Sequence, residues 1–289
     1  MRQSSRQSPR FNHLRLLLIG LHVLSGALQV ALLFPFGGSA GRQFLRQNWS
    51  RQLLTLLGIR IEAVDGGLSG VENGLLVCNH ISFIDIFVIN ALLPSGFVAK
   101  RDVAQWPLIG WLCRHNDTVF IERGSRRAAH STHQEMLAAF GAGKRLVVFP
   151  EGTTTAGDYL LPFHAALFQS AIDAAVPVHA VALSYHRADG LRSAAPAYID
   201  DVSLVACLMT VLRTRGLTAR IALAASFVPP LPERRHLARH AQHAVAAALA
   251  QSPNFAPTPG RPDFGPWIRG TNPREGSPQP LSNTAAIRR

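Results

Sequence analysis

Over residues 59–249 the chain alternates between short runs of apolar and β-branched residues and longer segments with helical spacing. The strand-like runs are IRIEAV, GLLVCN, GFVAK, DTVFIE, RLVVFP, VPVHAVAL and ARIALAASFV. Helical patterns fall near 82–93, 125–140, 160–174, 201–213 and 234–249. Several of the strand runs are apolar throughout instead of every second residue, which marks strands covered on both faces. Buried strands alternating with helices predict an α/β domain with a central, largely parallel sheet flanked by helices.

Upstream, residues 14–36 read LRLLLIGLHVLSGALQVALLFPF, apolar for about the length needed to cross a bilayer, with His22 and Gln29 as interruptions. A signal peptide and a buried core helix are the competing readings of this stretch. The next segment, GRQFLRQNWSRQLLTLLG, places Phe44, Leu45, Trp49, Leu53, Leu56 and Leu57 at helical spacing opposite Arg42, Arg46 and Arg51. A basic amphipathic helix carrying Trp suits the headgroup layer, so the pair is expected to associate with a membrane. Residues 1–58 are therefore read as a basic segment with membrane-associated helices, 59–252 as the α/β domain, and 253–289, rich in Pro, Gly, Asn and Arg, as a disordered tail.

The formal net charge is +12, which calls for a polyanionic partner, either nucleic acid or an anionic bilayer face. No Asp or Glu precedes Glu62, whereas Arg2, Arg6, Arg10, Arg15, Arg42, Arg46, Arg51 and Arg60 all fall before it. Basic charge concentrated around the oiliest segment favours an anionic membrane surface over a nucleic-acid-binding protein. Cys78, Cys113 and Cys207 have neither disulfide-framework nor zinc-site spacing, and no metal is expected.

Chemistry is concentrated in NHISFID, residues 79–85. GLLVCN reads as a buried strand, Asn79-His80-Ile81 as the turn after it, and Ser82 as the N-cap of a helix whose third position is Asp85. A capping box alone would explain Asp85. It would not explain His80, since the helix that follows is apolar on all sides apart from Asp85 and Asn90, and a carboxylate there requires a donor. With His80 in the turn, the pair forms a dyad in which Asp85 orients the imidazole and the other ring nitrogen accepts a proton from a hydroxyl. No GxSxG nucleophile is present, and Cys78 reads as core packing, so the attacking oxygen is expected to come from the substrate. A hydrolase that activates water with the same dyad stays open.

RLVVFPEGTTT places Glu151, Gly152 and the hydroxyls of Thr153, Thr154 and Thr155 in a second turn at the same edge of the sheet. Together NHISFID and FPEGTTT resemble the H-x4-D and F-P-E-G boxes of the PlsC-like glycerolipid acyltransferases. The likeness continues through VAKRDVAQWPLIGWL, TVFIERG and VPVHAVAL.

That resemblance implies acyl transfer from acyl-CoA or acyl carrier protein, with no bound cofactor, to the free hydroxyl of a lysolipid such as 1-acyl-sn-glycerol 3-phosphate, at the cytoplasmic face of the inner membrane. It assigns His80 as general base, Asp85 as its orienter, and Arg123, Glu151, Gly152 and Thr153 to the acceptor. Asn79, Ser82 and Lys100 are candidates for support. Two positions depart from the family pattern: Thr154 stands where many relatives have Arg, and Ala180 replaces a proline. Loss of a cation beside the acceptor makes lyso-ornithine lipid an alternative acceptor.

Overall fold

The computed structural model describes residues 9–122 and 126–251. Seven strands form one sheet in the order β1 (Ile59–Ala63), β7 (Leu217–Phe227), β6 (Val178–His186), β2 (Leu75–Cys78), β5 (Leu146–Val148), β3 (Gly96–Lys100) and β4 (Val119–Ile121). Every neighbouring pair is parallel except β6 with β7. All seven strand runs expected from the sequence are present. The antiparallel pair is the one feature that apolar runs alone could not reveal, because a buried strand reads the same in either direction.

The pleat divides the core in two. Leu76 and Cys78 of β2 face a cluster with helices α2 (Ser39–Leu57), α3 (Asp85–Leu92) and α8 (Leu204–Arg213). Leu75 and Val77 face a cluster with α6 (Arg126–Gly141), α7 (Gln169–Asp173) and α9 (Arg234–Ala250). Alternation with period two thus builds a helix–sheet–helix sandwich, and the central strands β2, β5 and β6 are buried throughout. Two short helices between β3 and β4, α4 (Arg101–Ala104) and α5 (Ile109–His115), and the breaking of the expected 160–174 helix into a 3-10 turn and α7, depart from the sequence reading.

Before the sheet, α1 (Pro9–Leu32) contains a segment, His13–Leu32, long and apolar enough to cross a membrane by length and composition. It is not a core helix: Leu14, Leu17, Leu21, Leu24, Leu28 and Leu32 are exposed, while Ile19 and Val30 are buried. One of its two polar interruptions, His22, is explained by pairing with α2. The His22 ring stacks on Trp49 at 4.6 Å, the His22 imidazole meets the Trp49 carbonyl, and the Trp49 indole N–H donates to the His22 carbonyl. Gly26 permits this approach, since a Cβ there would lie 2.5 Å from the indole nitrogen.

The basic face expected to meet headgroups is used differently. Arg46 is buried and donates to Asn116 Oδ1, the Ser95 carbonyl and Asp117 Oδ2. Arg51 donates to the Ala91 carbonyl, and Arg42 to the carbonyls of Phe34 and Gly37. Phe44, placed by spacing on the apolar face expected at the headgroup layer, is exposed. Guanidinium forks satisfy carbonyls left over at helix and strand ends, so Arg46 and Arg51 hold α2 to the domain while Arg42 braces the turn between α1 and α2. Arg46→Met is expected to lower stability by about 2–4 kcal/mol, because it leaves buried acceptors unmet. Urea unfolding of detergent-solubilised protein measures this, and an unchanged midpoint would mean that the cluster does not hold α2.

Candidate active site

β2 ends at Cys78 in the middle of the sheet, and the chain turns through Asn79, His80, Ile81 and Ser82 before entering α3. A turn this deep must satisfy its polar groups internally. Asn79 takes over where the β2–β6 ladder stops: its Nδ2 donates to the Leu183 carbonyl at 2.9 Å and its Oδ1 accepts the Leu183 N–H at 2.8 Å. The His80 N–H donates to Glu151 Oε1 at 2.9 Å, and the His80 carbonyl accepts the Thr155 N–H. The Ile81 carbonyl accepts the Tyr198 N–H. The two motifs therefore meet at the C-terminal ends of adjacent parallel strands, β2 and β5, where open α/β sheets bind ligands.

Asp85 is wholly buried. Its Oδ2 accepts the N–H groups of Ile81 at 2.7 Å and Ser82 at 3.0 Å, and lies 2.9 Å from His80 Nδ1. A carboxylate that collects donors this way is an acceptor only, so Nδ1 carries the imidazole proton and Nε2 is the free acceptor. The His80 side chain is 19% exposed, so the ring reaches solvent. Phe149, directly before Pro150-Glu151, stacks on the imidazole at 3.8 Å and 11°. Aspartate and aromatic ring together fix both tautomer and plane.

The local cap differs from the expected one. Helix α3 begins at Asp85, not near Ser82, and the Ser82 hydroxyl accepts the Ile84 N–H at 3.3 Å. Asp85 reaches back to the Ser82 N–H as in a capping box, but spends the same oxygen on His80. The helix start is displaced because residues 81–84 are held by the site.

Glu151 is 3% exposed, with its second oxygen accepting the Leu161 N–H at 2.8 Å. Burial pushes its carboxyl up to about 8, against the two backbone donors and with the charge of Asp85 adding. The geometry therefore gives this side chain to the His80 turn. Gly152 follows at φ +70°, a left-handed conformation suited to glycine, and Thr153 is exposed. Thr154 donates its hydroxyl to the Tyr198 carbonyl, tying the segment before α8 to this turn. Lys100 lies at the exposed end of β3, and its neighbour Arg101 pairs with Glu122 at 2.8 Å. Arg123 lies outside the described residues.

Two sequence-silent participants appear. Phe149 is one; Tyr185 on β6 is the other, its hydroxyl donating to Asp85 Oδ1 at 2.8 Å. Phe149 lies within the F-P-E-G box, a signal that could have found it, while nothing local to Tyr185 marks the second. A separate serine–histidine–aspartate set, Ser170, His133 and Asp173, joins α6 to α7, with Ser170 Oγ 2.8 Å from His133 Nδ1 and Asp173 3.3 Å from Nε2. Ser170 is 3% exposed, so no substrate carbonyl reaches it, and the set fastens two helices. Burial raises the Cys78 thiol well above its ordinary value, as suits a packing residue. Among the described residues no group of three or more His, Cys, Asp or Glu is placed to hold a metal.

A family model described as Acyltransferase matches residues 64–184. The 1-acyl-sn-glycerol-3-phosphate acyltransferase of Neisseria meningitidis serogroup B is 44% identical over 150 residues, 52% of this chain and 58% of that relative's length. The lyso-ornithine lipid O-acyltransferase of Pseudomonas aeruginosa is 38% identical over 212 residues, 72% of this chain and 79% of the relative. Among solved structures, the 1-acyl-sn-glycerophosphate acyltransferase PlsC from Thermotoga maritima has the same fold, with a TM-score of 0.58 at 20% identity, over 83% of this chain and 97% of that one.

Glu151 makes a pH-dependent contribution with a defined sign. Its carboxyl holds a proton in the folded chain up to about 8, whereas the ordinary value is 4.5, so folding takes up a proton in between. Stability from this group is present at low pH and is lost as pH rises through that window. The stability difference between wild type and Glu151→Gln, from urea midpoints at about pH 5 and about pH 8, is expected to shift against the wild type at the higher pH. A difference independent of pH would mean that Glu151 titrates normally.

Proposed function

Because the chain belongs to the PlsC-like acyltransferase family, we propose that it moves a fatty acyl group from a thioester, on coenzyme A or acyl carrier protein, to the free hydroxyl of a lysolipid. The observation that carries this reading is the 2.9 Å contact between His80 Nδ1 and Asp85 Oδ2 at the end of β2. His80 Nε2 takes the proton of the acceptor hydroxyl as its oxygen attacks the thioester carbonyl. Asp85 holds the imidazole in the productive tautomer and stabilises the imidazolium that forms. Collapse of the tetrahedral intermediate breaks the C–S bond, and the departing sulfur takes the proton from Nε2. One C–O bond forms, one C–S bond breaks, and His80 ends neutral.

The acceptor proposed first is 1-acyl-sn-glycerol 3-phosphate, giving phosphatidic acid, with Gly152, Thr153 and Arg123 in the acceptor-binding role that the family resemblance implies. Thr154 favours a second acceptor, lyso-ornithine lipid: a neutral side chain, its hydroxyl donated to the Tyr198 carbonyl, stands where many relatives have a cation. The exposed leucines of α1 support attachment to a membrane. Because the donor carriers are cytoplasmic, the inner membrane's cytoplasmic face is the proposed location. In this reading the lysolipid and the donor's acyl chain enter from the lipid, while the carrier stays on the cytoplasmic side.

His80→Ala is expected to lower turnover by about three orders of magnitude, and Asp85→Asn by somewhat less, with folding preserved. The assay offers labelled acyl-CoA and a panel of lysolipids to purified protein and identifies products by mass. Diacyl lipid must form and must depend on His80. Free fatty acid at a comparable rate without lysolipid would make the protein a hydrolase instead.

A further inference from the structure

We propose that Tyr185 is a positioning residue for acyl transfer: its hydroxyl, 2.8 Å from Asp85 Oδ1, holds the carboxylate turned so that Oδ2 faces His80 Nδ1. The inference rests on the reading of His80 as the base, since Tyr185 acts on the substrate only through Asp85 and the imidazole.

Asp85 has two oxygens and no solvent. Three donors converge on Oδ2, all from the turn directly before the helix. These local donors do not occupy Oδ1, and a buried carboxylate oxygen without a partner would draw the side chain to rotate or admit water. Tyr185 is the group that meets it, from β6, a hundred residues away in sequence. It is 1% exposed. Burial raises the phenol well above its ordinary value, and the charge of Asp85 raises it further, so the hydroxyl stays a donor throughout the working range.

The placement of Tyr185 is built, not incidental. Asn79 fastens the end of β2 to Leu183 through both its amide atoms, two residues before Tyr185 on the same strand. That clamp fixes how far β6 extends past β2, and so where the phenol arrives. On the other face of His80, Glu151 holds the backbone and Phe149 holds the ring plane. The imidazole is thus positioned from β5, and the carboxylate that orients it is positioned from β6. The titratable groups packed around Asp85 are His80, Tyr185, Cys78 on β2, Glu151 after β5 and, beside Tyr185, Cys207 on α8. Of these, His80 and Tyr185 are its hydrogen-bond partners.

Removing the hydroxyl takes one donor from Asp85 and leaves its charge less neutralised, shared among His80 and the Ile81 and Ser82 N–H groups. The imidazolium becomes more stable while the carboxylate loses its orientation. Tyr185→Phe is therefore expected to lower kcat about 10-fold to 100-fold with little change in KM, as for a partner that orients a reacting group without touching substrate. The acidic limb of the kcat profile should move to higher pH. In an Asp85→Asn background the same change should add nothing. Unaltered kcat, an unmoved limb, or a full additive loss in the double variant would each overturn the inference.

A readout independent of turnover is the His80 Nδ1–H proton resonance in labelled, detergent-solubilised protein. It should move downfield in Tyr185→Phe and upfield when tyrosines are replaced by 3-fluorotyrosine, a stronger donor. The second change keeps the ring and so holds even if the phenylalanine variant folds poorly. A resonance that moves in neither case overturns the inference. If His80→Ala keeps its activity, the base assignment fails on its own, and the resonance still reports whether Tyr185 governs Asp85.

Discussion

A carboxylate with no access to water sets the terms for the centre of this molecule. Asp85 sits at the start of a helix that is otherwise apolar, and an ionised group there is tolerable only if donors surround it. Two backbone N–H groups, one imidazole and one phenol supply them. Each donor constrains a different piece of structure: the turn after β2, the imidazole plane, the start of α3 and the reach of β6. Satisfying one buried charge and aiming one reactive ring are the same arrangement here.

The turn bearing His80 depends on the same economy of polar groups. Asn79, Glu151, Thr155 and Tyr198 each meet an N–H or carbonyl of the turn or extend the ladder beside it. Irregular backbone at this depth persists only where such partners exist. That is why FPEGTTT stands beside NHISFID: it braces the turn as well as lining the edge of the sheet. Glu151 illustrates the cost, since burial raises its carboxyl far from the usual range, and its value lies in the two backbone groups it accepts.

The N-terminal helices show the same principle at the periphery. Arginines that composition alone would assign to a polyanion are turned to leftover carbonyls and to Asp117, while leucines that a soluble core would bury are exposed along α1. Net charge measured over the whole chain therefore overstates the basic surface available to a partner. The exposed apolar helix is the better guide to where the protein works.

Much of this was legible in one dimension because it is local. Apolar runs of strand length predict strands, helical spacing predicts helices, and a histidine five residues from an aspartate across a strand–helix turn predicts a dyad; each depends on neighbours a few residues apart. The antiparallel β6–β7 pair, the fate of Arg46, the stacking of Phe149 on His80 and the bond from Tyr185 to Asp85 were decided only when distant segments were brought together. The reason is physical: a strand run carries no mark of its neighbour's direction, and a buried oxygen accepts whichever donor the packed sheet delivers to it.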